Sequence, residues 1–101
     1  RETHSGFLEG VDACRDPAAS DAEVFRECAR LIARDVPRTF PGEAALDPVR
    51  LRVADVLRAH AAHDRELGYV QGMCFAAAGV CMRTTSLRDA RKLFEELVVG
   101  L

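Results

Sequence analysis

The chain has 101 residues, of which 49% are apolar and 30% charged, with a formal net charge of −2. That gives room for one soluble globular domain and not for two. The charge balance argues against a nucleic-acid partner, which needs a basic face. A membrane span is excluded as well: the longest apolar run, Met73 to Met82, has ten residues where about 20 are required.

Residues 1–19 are a poorly defined lead-in, in which Phe7, Leu8 and Val11 suggest a short helix before Asp16-Pro17. The polar start does not resemble a secretion signal, and the absence of an initiating methionine suggests a piece of something longer. From Ser20 the pattern is helical. Ser20 and Glu23 form a capping box, and Val24, Phe25, Cys28, Leu31 and Ile32 recur at helical spacing up to about Arg34. Pro37 and Pro41 forbid an unbroken helix, so residues 35–46 are expected to be a loop. A second helix opens at Asp47-Pro48, a capping residue followed by the proline favoured at the first helical position. It carries Val49, Val53, Val56, Leu57 and His60 or Ala61 and ends near His63. A third covers Gln71 to Met82, is apolar nearly all round and is therefore expected to lie centrally. A fourth starts at Ser86, with Leu87, Ala90, Leu93, Phe94, Leu97 and Leu101 on one face. No segment has a period of two, so the fold class is all-α, a single helical array over residues 20–101. The fourth helix is still amphipathic at the last residue, which suggests a truncated domain with more apolar surface than it covers.

Four cysteines, Cys14, Cys28, Cys74 and Cys81, include no Cys-x-x-Cys pair. Buried reduced thiols are the expected reading, and with them a reducing, cytoplasmic compartment.

Two segments hold chemistry. One, Ile32 to Pro41, sets Asp35 and Arg38 where a helix breaks into a proline-bounded loop. The other, Gly68 to Met73, sets Gln71 between glycines at the mouth of the apolar helix. Taken singly, each has an ordinary reading: Asp35 and Arg38 as a surface ion pair worth at most about 1 kcal/mol, Gln71 as a helix cap, Tyr69 as a packing residue with its hydroxyl at the surface.

Together they resemble a family. Ile32-x-x-Asp35-x-x-Arg38-Thr39, followed about thirty residues later by Tyr69-x-Gln71-Gly72-Met73, is similar to the TBC-domain family of Rab GTPase-activating proteins. Val56 to Ala61 and Glu66-Leu67-Gly68 resemble the family's connecting helix and loop. The likeness runs from about Ser20 to Met82 and implies the N-terminal half of such a domain. It implies that Arg38 is an arginine finger facing a GTPase's phosphates and Gln71 a glutamine finger orienting the attacking water. It also implies that Asp35 and Thr39 support the arginine loop, and that Tyr69 and Gly72 hold the glutamine. The residue types suit that chemistry, since a guanidinium is always charged and presents a rigid fork of donors, and a neutral glutamine can accept and donate at once. Departures are His60 where an aromatic Tyr is common, Asp64-Arg65 in place of the usual Asn-Pro, and Cys74 where Asn is frequent.

The resemblance implies a Rab-family small GTPase as partner, with GTP and Mg²⁺ carried by that partner and no cofactor or metal belonging to this chain. It also implies a cytoplasmic protein, with peripheral contact to endomembranes through the partner. His60 and His63 share a helix face, but no second cluster completes a metal shell, and no Gly-rich phosphate loop is present. The rival reading is a non-catalytic helical module that docks a small GTPase or another partner without touching its nucleotide.

Overall fold

In the computed structural model, residues 18–100 are described; the short helix expected around Phe7, Cys14 and Leu101 lie outside them. Four helices follow in order: α1 Asp21–Asp35, α2 Arg50–His63, α3 Met73–Arg83 and α4 Leu87–Gly100. Short 3₁₀ turns, Val36–Arg38 and Asp47–Val49, lie between α1 and α2, and the described residues contain no strand.

The start of α1 is set by its capping box. Ser20 Oγ accepts from the Glu23 amide at 3.1 Å and Glu23 Oε1 from the Ser20 amide at 2.8 Å, satisfying two donors with no intrahelical partner. Its buried stripe is Val24, Cys28, Leu31, Ile32 and Asp35, so the last inward position is a carboxylate. The helix then tightens into the Val36–Arg38 turn around Pro37, and Leu46, 1% exposed, anchors the far end of the loop in the core.

Helix α2 begins two residues later than the Asp47-Pro48 signal implies. Val49, not Asp47, is the N-cap, and it makes no side-chain capping bond; the Asp47 carboxylate turns to Arg50, and Asp47–Val49 stays a 3₁₀ turn. It is α2 that lies centrally, packed on α1, α3 and α4, through Val53, Ala54, Val56, Leu57, His60 and Ala61. The expectation of a fully buried α3 is corrected accordingly. Helix α3 buries Cys74, Ala77, Ala78, Val80 and Cys81 on one face, while Phe75 and Met82 are nearly half exposed. Its other face is apolar yet uncovered among the described residues. Ser86 Oγ accepts from the Asp89 amide at 3.1 Å at the head of α4, which buries Ala90 and Phe94. Cys28, Cys74 and Cys81 are buried. No helix among the described residues is long and apolar enough to cross a membrane.

Candidate functional site

Asp35 is the hinge of the site. At the inward end of α1 it is 5% exposed, and its two oxygens are separately engaged: Arg34 Nε donates to Oδ1 at 2.7 Å and the Tyr69 hydroxyl to Oδ2 at 2.6 Å. Arg34 and not Arg38 is therefore its ion-pair partner, which corrects the reading of Asp35 and Arg38 as a surface pair. Burial by itself would raise the Asp35 pKa. The hydrogen bonds from Arg34 and Tyr69 and the charges of Arg34 and Arg38 outweigh it and hold the carboxyl below its ordinary range. Tyr69, 1% exposed, is held far above its ordinary range by burial and then by Asp35. Its hydroxyl is thus a permanent donor, and it is interior, not at the surface. The bond it makes is to the Arg38 segment, across 34 residues of chain.

The loop after α1 is bonded along its backbone. Thr39, 1% exposed, donates its hydroxyl to the Asp35 carbonyl at 2.8 Å and its amide to the Val36 carbonyl at 3.1 Å. Phe40 takes a left-handed φ of 46°, uncommon for a bulky residue, and its ring meets Phe75 of α3 edge-on at 5.1 Å between centroids.

A residue with no signal in the sequence motifs ties this loop to α2. Arg50 Nη1 donates to the carbonyls of Val36 at 3.0 Å and Thr39 at 2.7 Å, and Nη2 to that of Phe40 at 3.0 Å. Asp47 receives its Nε at 2.8 Å. The Asp47-Pro48-Val49-Arg50 spacing signals the ion pair, but nothing in the sequence links Arg50 to carbonyls 10 to 14 residues away.

The second segment enters α3 through Gly72, which serves as N-cap with φ 104° and ψ −22°. A residue at that φ cannot belong to a right-handed helix, so α3 starts at Met73, and Gln71 lies in the preceding turn and caps nothing. The two segments meet there. Asp35, Arg38, Thr39, Gln71, Gly72, Cys74 and Phe75 line one open cleft of about 100 Å³, far below the ~300–1,000 Å³ of a site that encloses a small molecule. Arg38 and Gln71 are exposed, and neither makes a hydrogen bond or ion pair among the described residues. All six residues singled out from the sequence are thus gathered: five line the cleft, and Tyr69 sits beneath it on Asp35.

A sequence profile of the Rab-GTPase-TBC domain matches residues 18–100. The chain belongs to this family. No curated protein and no solved structure is significantly similar to it.

The TBC chain accommodates its unusual residues by local bonding. His60 packs edge-on against Phe94 at 5.5 Å, as an aromatic ring would, and its Nδ1 lies 2.7 Å from Glu95 Oε2. It is 1% exposed, and the described residues include no cluster of three or more potential metal ligands. Asp64 closes its own turn, accepting from the Leu67 amide at 3.1 Å through its side chain and from the Gly68 amide at 2.7 Å through its carbonyl. Arg65 reaches Asp21 at 3.0 Å, pinning this loop to the head of α1. Cys74 is buried against the cleft floor.

Proposed function

We propose that this TBC chain accelerates GTP hydrolysis by a Rab-type small GTPase, with Arg38 and Gln71 entering the partner's nucleotide site. The observation behind this reading is the convergence of these two unengaged side chains, 33 positions apart in sequence, on one small open cleft. A cleft of that size suits part of another molecule's surface better than a nucleotide of its own.

Phosphoryl transfer to water needs a placed nucleophile and compensation of charge as it shifts. In this reading the Arg38 fork donates to phosphate oxygens, and Gln71 accepts from the attacking water while donating to the γ-phosphate. Asp35, Thr39, Tyr69 and Gly72 hold the two segments still beforehand, so that no reorganisation is needed as the reaction proceeds. The chain brings no cofactor; GTP and Mg²⁺ arrive with the partner. It acts wherever that GTPase resides, as a cytoplasmic protein or peripherally at an endomembrane.

The test is single-turnover GTP hydrolysis across a panel of Rab proteins. Acceleration by the wild-type protein should fall about 10³–10⁵-fold on Arg38→Ala and be largely lost on Gln71→Ala, with GTPase binding retained. A folded protein that binds a Rab without changing its hydrolysis rate is instead a docking module.

A further inference from the structure

We infer that Arg50 is the positioning residue of the Arg38 loop, acting through backbone carbonyls without touching the partner; this rests on the activator reading above. Arg38 has its side chain free and its backbone held on both sides. On one side is the Val36 carbonyl, on the other those of Thr39 and Phe40, and all three accept from the one Arg50 guanidinium at 2.7–3.0 Å. Asp47 occupies the Nε edge at 2.8 Å and fixes the plane of the fork.

The arrangement is specific to arginine. Four hydrogen bonds leave one rigid plane in different directions, which an ammonium on a flexible stem cannot reproduce. The Arg50 side chain is 18% exposed, and its bonds to the Val36 and Thr39 carbonyls are partly buried and so shielded from competing water, while those to Phe40 and Asp47 lie at the surface. The loop needs such a clamp. The helical ladder of α1 ends at the Val36 amide, Pro37 contributes no amide donor, and Phe40 sits at a φ of 46° that a phenylalanine does not choose freely. Arg50 begins the central helix, so the clamp refers the loop to the most thoroughly packed element of the fold. An exposed arginine whose backbone is fixed this way has fewer positions to search, which is what a residue acting in trans requires.

The experiment compares Arg50→Lys, Arg50→Ala, Arg38→Ala and the Arg50→Ala/Arg38→Ala double variant in the natural protein. The partner is the Rab that the wild type accelerates most. Arg50→Ala should lower kcat roughly 10- to 100-fold with KM for the GTP-loaded GTPase unchanged, the scale of a ~1 Å misplacement. Arg50→Lys, which keeps the charge and the Asp47 pair, should restore only a small part and serves as the folded variant if Arg50→Ala unfolds. The double variant should be no slower than Arg38→Ala alone, and hydrogen exchange at the Thr39 amide should quicken in Arg50→Lys. A wild-type kcat in folded Arg50→Lys, a loss confined to KM, or a double variant slower by the product of the two single effects overturns the assignment. Arg38→Ala without effect in the same assay is a failure of the activator reading itself, and is told apart from a failure of Arg50, in which Arg38→Ala still abolishes acceleration.

Discussion

Tyr69 and Asp35 join two segments that are distant in sequence through one 2.6 Å bond. A carboxylate taken out of water must be compensated, and here Arg34 and the Tyr69 hydroxyl supply the compensation. The consequence is a pH dependence of known sign. Because the Asp35 pKa is lowered on folding, the unfolded chain takes up the proton first. The stability that Asp35 contributes is complete above the ordinary carboxylate range, near pH 4, and is lost as pH falls through and below it. Urea unfolding followed from about pH 6 down to about pH 2 should therefore show a decline that is shallower in Asp35→Asn. An equally steep decline in that variant would assign the acid sensitivity to other carboxylates.

At the scale of elements, glycine decides where α3 begins and hence where Gln71 points. A Cβ on Gly72 would meet nothing within 4 Å, so space does not restrict the position; its φ of 104° does. Gly72→Ala is expected to cost about 1 kcal/mol or more in stability through the backbone alone. In the hydrolysis assay it should act like a mild form of Gln71→Ala, since the relaxed turn carries Gln71 with it. Wild-type stability by chemical denaturation would show that the turn adapts at no cost. The 3₁₀ turn ahead of α2 follows the same logic in reverse: Asp47 spends its carboxylate on Arg50, and the helix starts without a side-chain cap.

On the scale of the whole molecule, an apolar trough lies open between α3 and α4. Leu67, Val70, Met73, Ala76, Leu97 and Val98 line it, with Phe94 at its floor. Leu67, Val70 and Leu97 are each more than a third exposed, and an open apolar surface of this kind favours association. The chain is expected to bind a hydrophobic dye and to self-associate with rising concentration. Leu97→Glu should weaken both while moving the melting temperature little, because a half-exposed leucine contributes little to the core. Dye fluorescence and light scattering on the same samples check this, and an unchanged signal in the variant would place the sticky surface elsewhere.

By itself the sequence determined the four helices, the capping box at Ser20, the break at Pro37 and the identity of the residues that now line the cleft. The first three depend on local rules: spacing of apolar positions, caps, and the missing amide of proline; five of the seven cleft residues were marked by their likeness to a family motif. Tertiary structure decided the rest. Periodicity marks α3 as apolar all round, yet centrality went to α2, because which helix is enclosed depends on how many neighbours it packs against and not on its own composition. The same limit hid the partners of Asp35 and Arg50. Arg34 precedes Asp35 by one residue and Arg38 follows it by three, and only the end of α1 places one on the carboxylate and leaves the other exposed. Arg50 reads as one arginine among many until the loop folds back and brings three carbonyls to its guanidinium, since a backbone acceptor has no sequence signature.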